Sequence, residues 1–151
     1  MKLKAIITAL ALLITAEAVA LAQTPKLDGA YKFVSLKFTG GQQTEAQTKG
    51  MIVVHGKYMA FVSAAVDRKM WTQEEPEADQ AKKIVEAFQG LRATAGMFEI
   101  QGDTIVLQQH AQSNPATMGK PSKWLFKVDG NKLILKPSGA TTVEFTFERL
   151  P

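Results

Sequence analysis

The sequence predicts a mainly β protein: a single up-and-down antiparallel β-barrel of about eight strands, with one inserted helix near residues 77–89. Three observations predict it. From Ala93 to Leu150 short runs alternate apolar and polar residues with the two-residue period of a half-buried sheet. Glycine-based turn signals at Gly56, Gly102-Asp103, Gly130-Asn131 and Ser138-Gly139 divide the chain into hairpins. One helix cannot cover both faces of an eight-stranded sheet, so closure of the sheet on itself is the economical way to remove its sticky edges.

The N-terminus reads as a secretory signal peptide over residues 1–22. Lys2 and Lys4 precede the apolar run Ala5 to Ala16, and Ala20-Leu21-Ala22 supplies a small-x-small cleavage pattern before Gln23. The rival reading, a retained anchor helix, suffers because Thr8, Thr15 and Glu17 interrupt a run short of the roughly 20 apolar residues a span needs. No cysteine occurs, which excludes a thiol-linked lipid anchor and a disulfide framework. Residues 23–151 are therefore expected as one secreted or periplasmic domain with no membrane span after cleavage. Removing the peptide lowers the net charge from +4 to +3. The remaining Lys and Arg are scattered among acids, with only Arg68-Lys69 and Lys82-Lys83 adjacent, so no basic stripe for nucleic acid is present and none is expected as a partner.

In chain order, Gly29 to Phe38 is the first strand, and its apolar set changes phase from Tyr31 and Phe33 to Val34, Leu36 and Phe38, as a bulge would produce. Gln42 to Lys49 is polar without an apolar period and reads as a loop. Gly50 to His55 and Lys57 to Ala64 form a hairpin at Gly56. After a polar stretch from Arg68 to Glu75, interrupted by Met70 and Trp71, the period changes: Ala81, Ile84, Val85 and Phe88 recur three and four apart on one helical stripe. Pro76 and Gly90 bracket that helix, with Glu77 and Asp79 at its positive end. A lid over a ligand is one role for it; docking on an apolar surface is the expected one.

The meander continues with Ala93 to Gln101, Thr104 to Gln112, Lys123 to Asp129, Lys132 to Lys136 and Thr141 to Leu150. Alternation turns Phe98 and Ile100, Trp124, Phe126 and Val128, Leu133 and Leu135, and Val143, Phe145 and Phe147 inward, with charged neighbours outward. Thr104 to Gln112 starts apolar and ends in Gln108, Gln109 and His110, placing polar groups toward one end of the wall. An apolar cavity with a few polar fixtures suits an amphipathic small molecule.

Leu27-Asp28-Gly29-Ala30-Tyr31-Lys32-Phe33-Val34-Ser35 resembles the first-strand pattern of the bacterial lipocalin-like proteins. Gly50-Met51-Ile52 with Gly56-Lys57-Tyr58-Met59, the stretch Gly90 and Gly96 to His110 with Asn114-Pro115 and Gly119, and Asn131 to Leu135 with Glu148-Arg149 resemble later motifs of that family. The resemblance implies an up-and-down barrel that takes a small hydrophobic ligand. It also implies that Gly29 and Arg149 lie at the closed end, with Tyr31 where the family has Trp and the guanidinium packed on its ring as a structural feature.

Catalytic signatures are sparse. With no Cys and only His55 and His110, a Cys/His zinc site is impossible, and no Gly-x-Ser-x-Gly, His-Glu-x-x-His or phosphate-cradling glycine loop occurs. No metal, cofactor or catalytic residue is expected. The candidate ligand-binding residues are Phe33, Tyr58, Phe61, Phe98, Trp124, Phe126, Phe145 and Phe147 for the apolar lining, with Gln108 and His110 as polar fixtures; the protein is expected as a monomer binding a small hydrophobic or amphipathic molecule. Two alternatives stand beside it: a cyclase or isomerase that uses the cavity as a dry vessel, with His110 or a tyrosine moving a proton, and a solid barrel acting through its surface as a protein-interaction module.

Overall fold

The computed structural model describes residues 26–70, 72–74, 76–140 and 142–151; the signal-peptide reading of residues 1–22, Trp71 and the expected start of the last strand at Thr141 lie outside them. Among these described residues nine strands follow in chain order: β1 (Gly29–Phe38), β2 (Gly41–Thr44), β3 (Thr48–His55), β4 (Tyr58–Ala65), β5 (Leu91–Gln101), β6 (Thr104–Gln112), β7 (Pro121–Asp129), β8 (Lys132–Pro137) and β9 (Glu144–Arg149). One helix, α1 (Glu77–Gln89), lies between β4 and β5. Apart from β2, each strand pairs antiparallel with its sequence neighbour, and β9 returns to pair with β1, which closes an eight-stranded barrel.

The polar stretch expected as a loop instead forms β2, which folds back on the end of β1 through the pairs Ser35↔Thr44 and Phe38↔Gly41. It carries no apolar alternation because both its faces largely meet solvent, and it is held by its backbone ladder together with hydrogen bonds from the Thr48 hydroxyl to Gln43 Oε1 and from Thr44 to Gln47 Oε1. The phase change within β1 is a bulge between Phe33 and Ser35 opposite β9. There the strand bends enough to bury Ser35 and Leu36 side by side.

The two ends of the barrel differ. At the base, three two-residue turns each begin with a glycine in the left-handed region, Gly56, Gly102 and Gly130, at φ 58°, 63° and 60°. The second residue of each turn then accepts from the next strand: Lys57 O from Phe98 N, Asp103 O from Phe126 N, Asn131 O from Arg149 N. All the longer connections, including β2 and α1, gather at the opposite end, the mouth.

Tyr31 and Arg149 close the base. The Tyr31 ring is fully buried, and its hydroxyl donates to Leu27 O at 2.8 Å. Arg149 lies over that ring at 4.6 Å and donates to the Tyr31 hydroxyl and the Asp28 and Lys26 carbonyls. The arrangement is a cation–π contact reinforced by charge-assisted hydrogen bonds.

A second bulge falls between β5 and β6. Gly96 faces Gln109 while Ala95 faces Ala111, so His110 is the extra residue. The strands approach so closely that a Cβ on Gly96 would overlap the Gln108 carbonyl oxygen.

The helix forms over Glu77–Gln89, as its period requires, but its stripe is not docked. Only Ala87 is buried; Ile84, Val85 and Phe88 are 42%, 54% and 55% exposed. The expectation of plain packing is therefore wrong. The barrel completes its own hydrogen bonding without the helix, leaving α1 tethered at the mouth with its apolar side turned out.

Two outcomes test this description. Gly96→Ala must push the Gln108 backbone aside, so it lowers stability by about 3 kcal/mol, the upper part of the usual overpacking cost; an unchanged denaturation midpoint would refute the tight bulge. Burial pushes the Tyr31 phenol above its ordinary 10.0; the Arg149 guanidinium works against that rise and Asp28 adds to it. Because the folded phenol resists ionisation, its contribution is complete below pH 10.0 and is lost as pH rises through the folded value. Tyr31→Phe is thus less stable at neutral pH but loses less further stability from about pH 9 to about pH 12. Parallel alkaline profiles of thermal midpoint would contradict this.

Candidate functional site

Inside the barrel, aromatic side chains from opposite walls meet one another. Phe61 on β4 packs edge-to-face on Phe145 and Phe147 of β9 at 5.9 and 5.6 Å, and Trp124 on β7 does the same on Phe145 at 5.8 Å. These four rings line a central void of about 20 Å³ together with Met59, Leu107 and Thr94. That is room for one water molecule. The converging apolar faces were expected to leave a hollow; instead an eight-stranded bore, just wide enough for side chains to fill, is filled by rings long enough to touch across it.

The other candidates separate cleanly. Phe33 and Phe98 are buried in the core without lining the void, Phe33 packing edge-to-face on Phe147 at 6.1 Å. Phe126 is half-buried against the same core. Tyr58 is a correction: it sits on the outer wall, 56% exposed. Apolar residues occupy both faces of β4, so the sequence carried no phase to fix its orientation.

Gln108 and His110 are corrections as well. Both are exposed on the outside of β6, and Gln109 between them turns inward, only 5% exposed. The alternation that buries Ile105 and Leu107 continues to Gln109, the bulge coming after it at His110; the unbroken apolar run Ile105-Val106-Leu107 hid that phase in the sequence. His110 shares a shallow outer hollow of about 310 Å³ with His55 and Tyr58, away from the interior. Among the described residues no three His, Cys, Asp or Glu side chains gather closely enough to hold a metal ion.

Apart from Gln109, which the sequence placed with its neighbours at one end of the wall, the polar fixtures of the interior are residues the sequence did not single out. Gln109 Nε2 and Trp124 Nε1 both donate to Ser122 Oγ, at 2.8 and 3.0 Å. Thr48 and Ser63, each 3% exposed, add hydroxyls toward the mouth. Thr94 differs from the rest: its Oγ1 is buried, borders the void, and has no hydrogen-bond partner among the described residues. An orphaned hydroxyl in an apolar interior costs roughly 1–3 kcal/mol. Among the described residues no ionisable side chain lines the void.

These features define a class: a closed antiparallel β-barrel with an apolar bore, a cation-sealed base and a polar mouth. No family model matches the chain, and no curated protein matches it by sequence. Comparison with solved structures returns weak likenesses. An uncharacterized protein from Bacteroides eggerthii DSM 20697 is 8% identical, with 82% of this chain and 98% of that one covered and a TM-score of 0.46. Human cRBP IV is 15% identical, with 82% and 98% covered and a TM-score of 0.36. A single-site mutant of the fluorescent protein UnaG is 12% identical, with 83% and 96% covered and a TM-score of 0.37. At these identities and scores the likeness carries no argument about family or ligand.

The orphaned hydroxyl makes a direct prediction. Replacing Thr94 with the near-isosteric Val removes a buried unsatisfied group, so the ligand-free protein becomes more stable by about 1 kcal/mol. A loss of stability in urea denaturation would mean that the hydroxyl already has a partner.

Proposed function

We propose that this protein is a secreted or periplasmic lipocalin-like barrel that binds a small, mostly apolar molecule carrying one hydrogen-bonding group, seated among Phe61, Trp124 and Phe145 with that group on Thr94 Oγ1. The observation that carries the reading is the unpartnered Thr94 hydroxyl bordering the interior void. A core selected only for packing gains from an apolar residue there; a polar atom kept without a partner makes sense when a partner arrives.

Magnitudes decide what kind of guest is accepted. The void at rest is about 20 Å³, far below the roughly 300–1,000 Å³ of a preformed small-molecule site. A guest must therefore part the rings, losing three edge-to-face contacts worth about 0.5–1.5 kcal/mol each beyond their buried area. Burying about 200 Å² of apolar guest surface returns roughly 5 kcal/mol at about 25 cal/mol per Å². Guests much smaller than that are refused, and larger ones need the mouth to widen. Tyr58, Gln108 and His110 take no part, since they face away from the interior.

A second reading is a solid barrel acting through its surface, and the small size of the void favours it. A titration separates the two. In a Trp71→Phe background, which leaves Trp124 as the sole indole, a medium-chain alcohol should change Trp124 emission saturably, and Thr94→Val should weaken that binding about tenfold, the equivalent of one lost hydrogen bond. If alcohols and fluorescent apolar probes leave Trp124 unaffected while the β-sheet spectrum is intact, the interior is not a binding site.

A further inference from the structure

We propose that the outer wall of β3 to β6 forms a symmetric dimer interface in which α1 of each copy lies in a groove on the other. The inference is independent of what the interior binds.

The wall has an unusual outer surface. Met51, Val53 and Val62 are 40%, 41% and 47% exposed, and Ala60, Ala93 and Ala95 lie between them with no charge in the centre. On the opposite side of the barrel the outward positions carry ion pairs, Lys32 with Glu148 and Glu45, and Glu144 with Lys37 and Lys136. Two hollows of about 440 and 310 Å³ on the apolar wall share Val53, Ala60 and Ala95 and so make one groove. Four strands spaced about 4.8 Å apart give a groove some 15–20 Å long.

The occupant it fits is a short amphipathic helix, and this chain carries one without a seat. With 13 residues at about 1.5 Å each, α1 is roughly 20 Å long. Ile84, Val85 and Phe88 are exposed, and Phe88 reaches only the end of the groove on its own barrel.

Charge agrees with the pairing. Glu77 lies on the stripe's face, seven residues before Ile84, and makes no ion pair among the described residues. At the edge of the groove Lys49, on the outer face of β3 beside Met51, likewise lacks an acidic partner among the described residues, and β3 and β4 contain no Asp or Glu. A second copy brings both missing halves. A two-fold axis uses groove and helix twice and closes the assembly, which is the commonest form of oligomer.

The expectation of a monomer is thereby replaced by a testable one. At roughly 100 μM, well above a weak micromolar dissociation constant, sedimentation velocity should give the mass of two copies. Val62→Lys in the groove and Val85→Lys on the helix, both at exposed positions, should each weaken association at least about thirtyfold with an unchanged far-UV spectrum. Because the chain has no cysteine, an Ala60→Cys copy mixed with a Val85→Cys copy should form a disulfide-linked pair on oxidation in higher yield than either alone. A one-copy mass for the unaltered protein overturns the proposal. So does a dimer that Val62→Lys dissociates but Val85→Lys and the cysteine pair do not register, since the face would then meet something other than the helix.

Discussion

The ladder between β9 and β1 is the constraint from which the rest of the structure follows. Six pairs, from Tyr31↔Arg149 to Lys37↔Glu144, join the last strand to the first across the whole sequence. On their outer side Lys32 meets Glu148 and Lys37 meets Glu144; on the inner side Phe33 meets Phe147 and Leu36 meets Phe145. The outer pairs are solvent-exposed and contribute little individually. The buried inner pairs supply the stabilisation, and the charges help fix the register. Were this seam open, two sheet edges and several phenylalanines would be exposed together.

Closure also makes the two ends unlike. Short glycine turns stitched to the next strand, with Arg149 over Tyr31, leave no route through the base. The mouth receives every long connection and the buried hydroxyls and amide of Thr48, Ser63 and Gln109. Polarity thus runs along the bore, apolar below and polar above. A core built for stability alone has little reason to hold such a gradient, and an orphaned threonine oxygen in its wall adds a cost. The filled centre and the polar upper wall describe an interior that is shut at rest; recognition of a guest with one polar group is the proposal they support.

Much of this was legible in the chain. The alternation in β5 to β9 and the turns at Gly56, Gly102 and Gly130 fixed strand order, hairpin positions and the inward set Phe98, Trp124, Leu133, Leu135, Phe145 and Phe147, because each alternation has a charged or polar neighbour to mark the outer face. Legibility failed where that marker was missing or displaced. β2 has no dry face. β4 is apolar on both faces, so Tyr58 was placed inside when it lies outside. In β6 the inward set Ile105 and Leu107 continues to Gln109, but Val106 between them is apolar too and hides the phase. The helix period was correct, yet a stripe of Ile, Val and Phe specifies only that something apolar covers it; it does not say whether that surface belongs to the same molecule. Thr94 carried no sequence signal at all, since a threonine in a strand is ordinary and only its lack of a partner is informative.

The central claim is that the interior opens for a guest. Intermolecular nuclear Overhauser effects between a ¹³C-labelled medium-chain alcohol and the protein test it most directly. The account predicts contacts from the alcohol to Thr94, Phe61 and Phe145. Contacts confined to Met51, Val62 and Phe88 on the outer wall, with the interior aromatic signals unmoved, would contradict it.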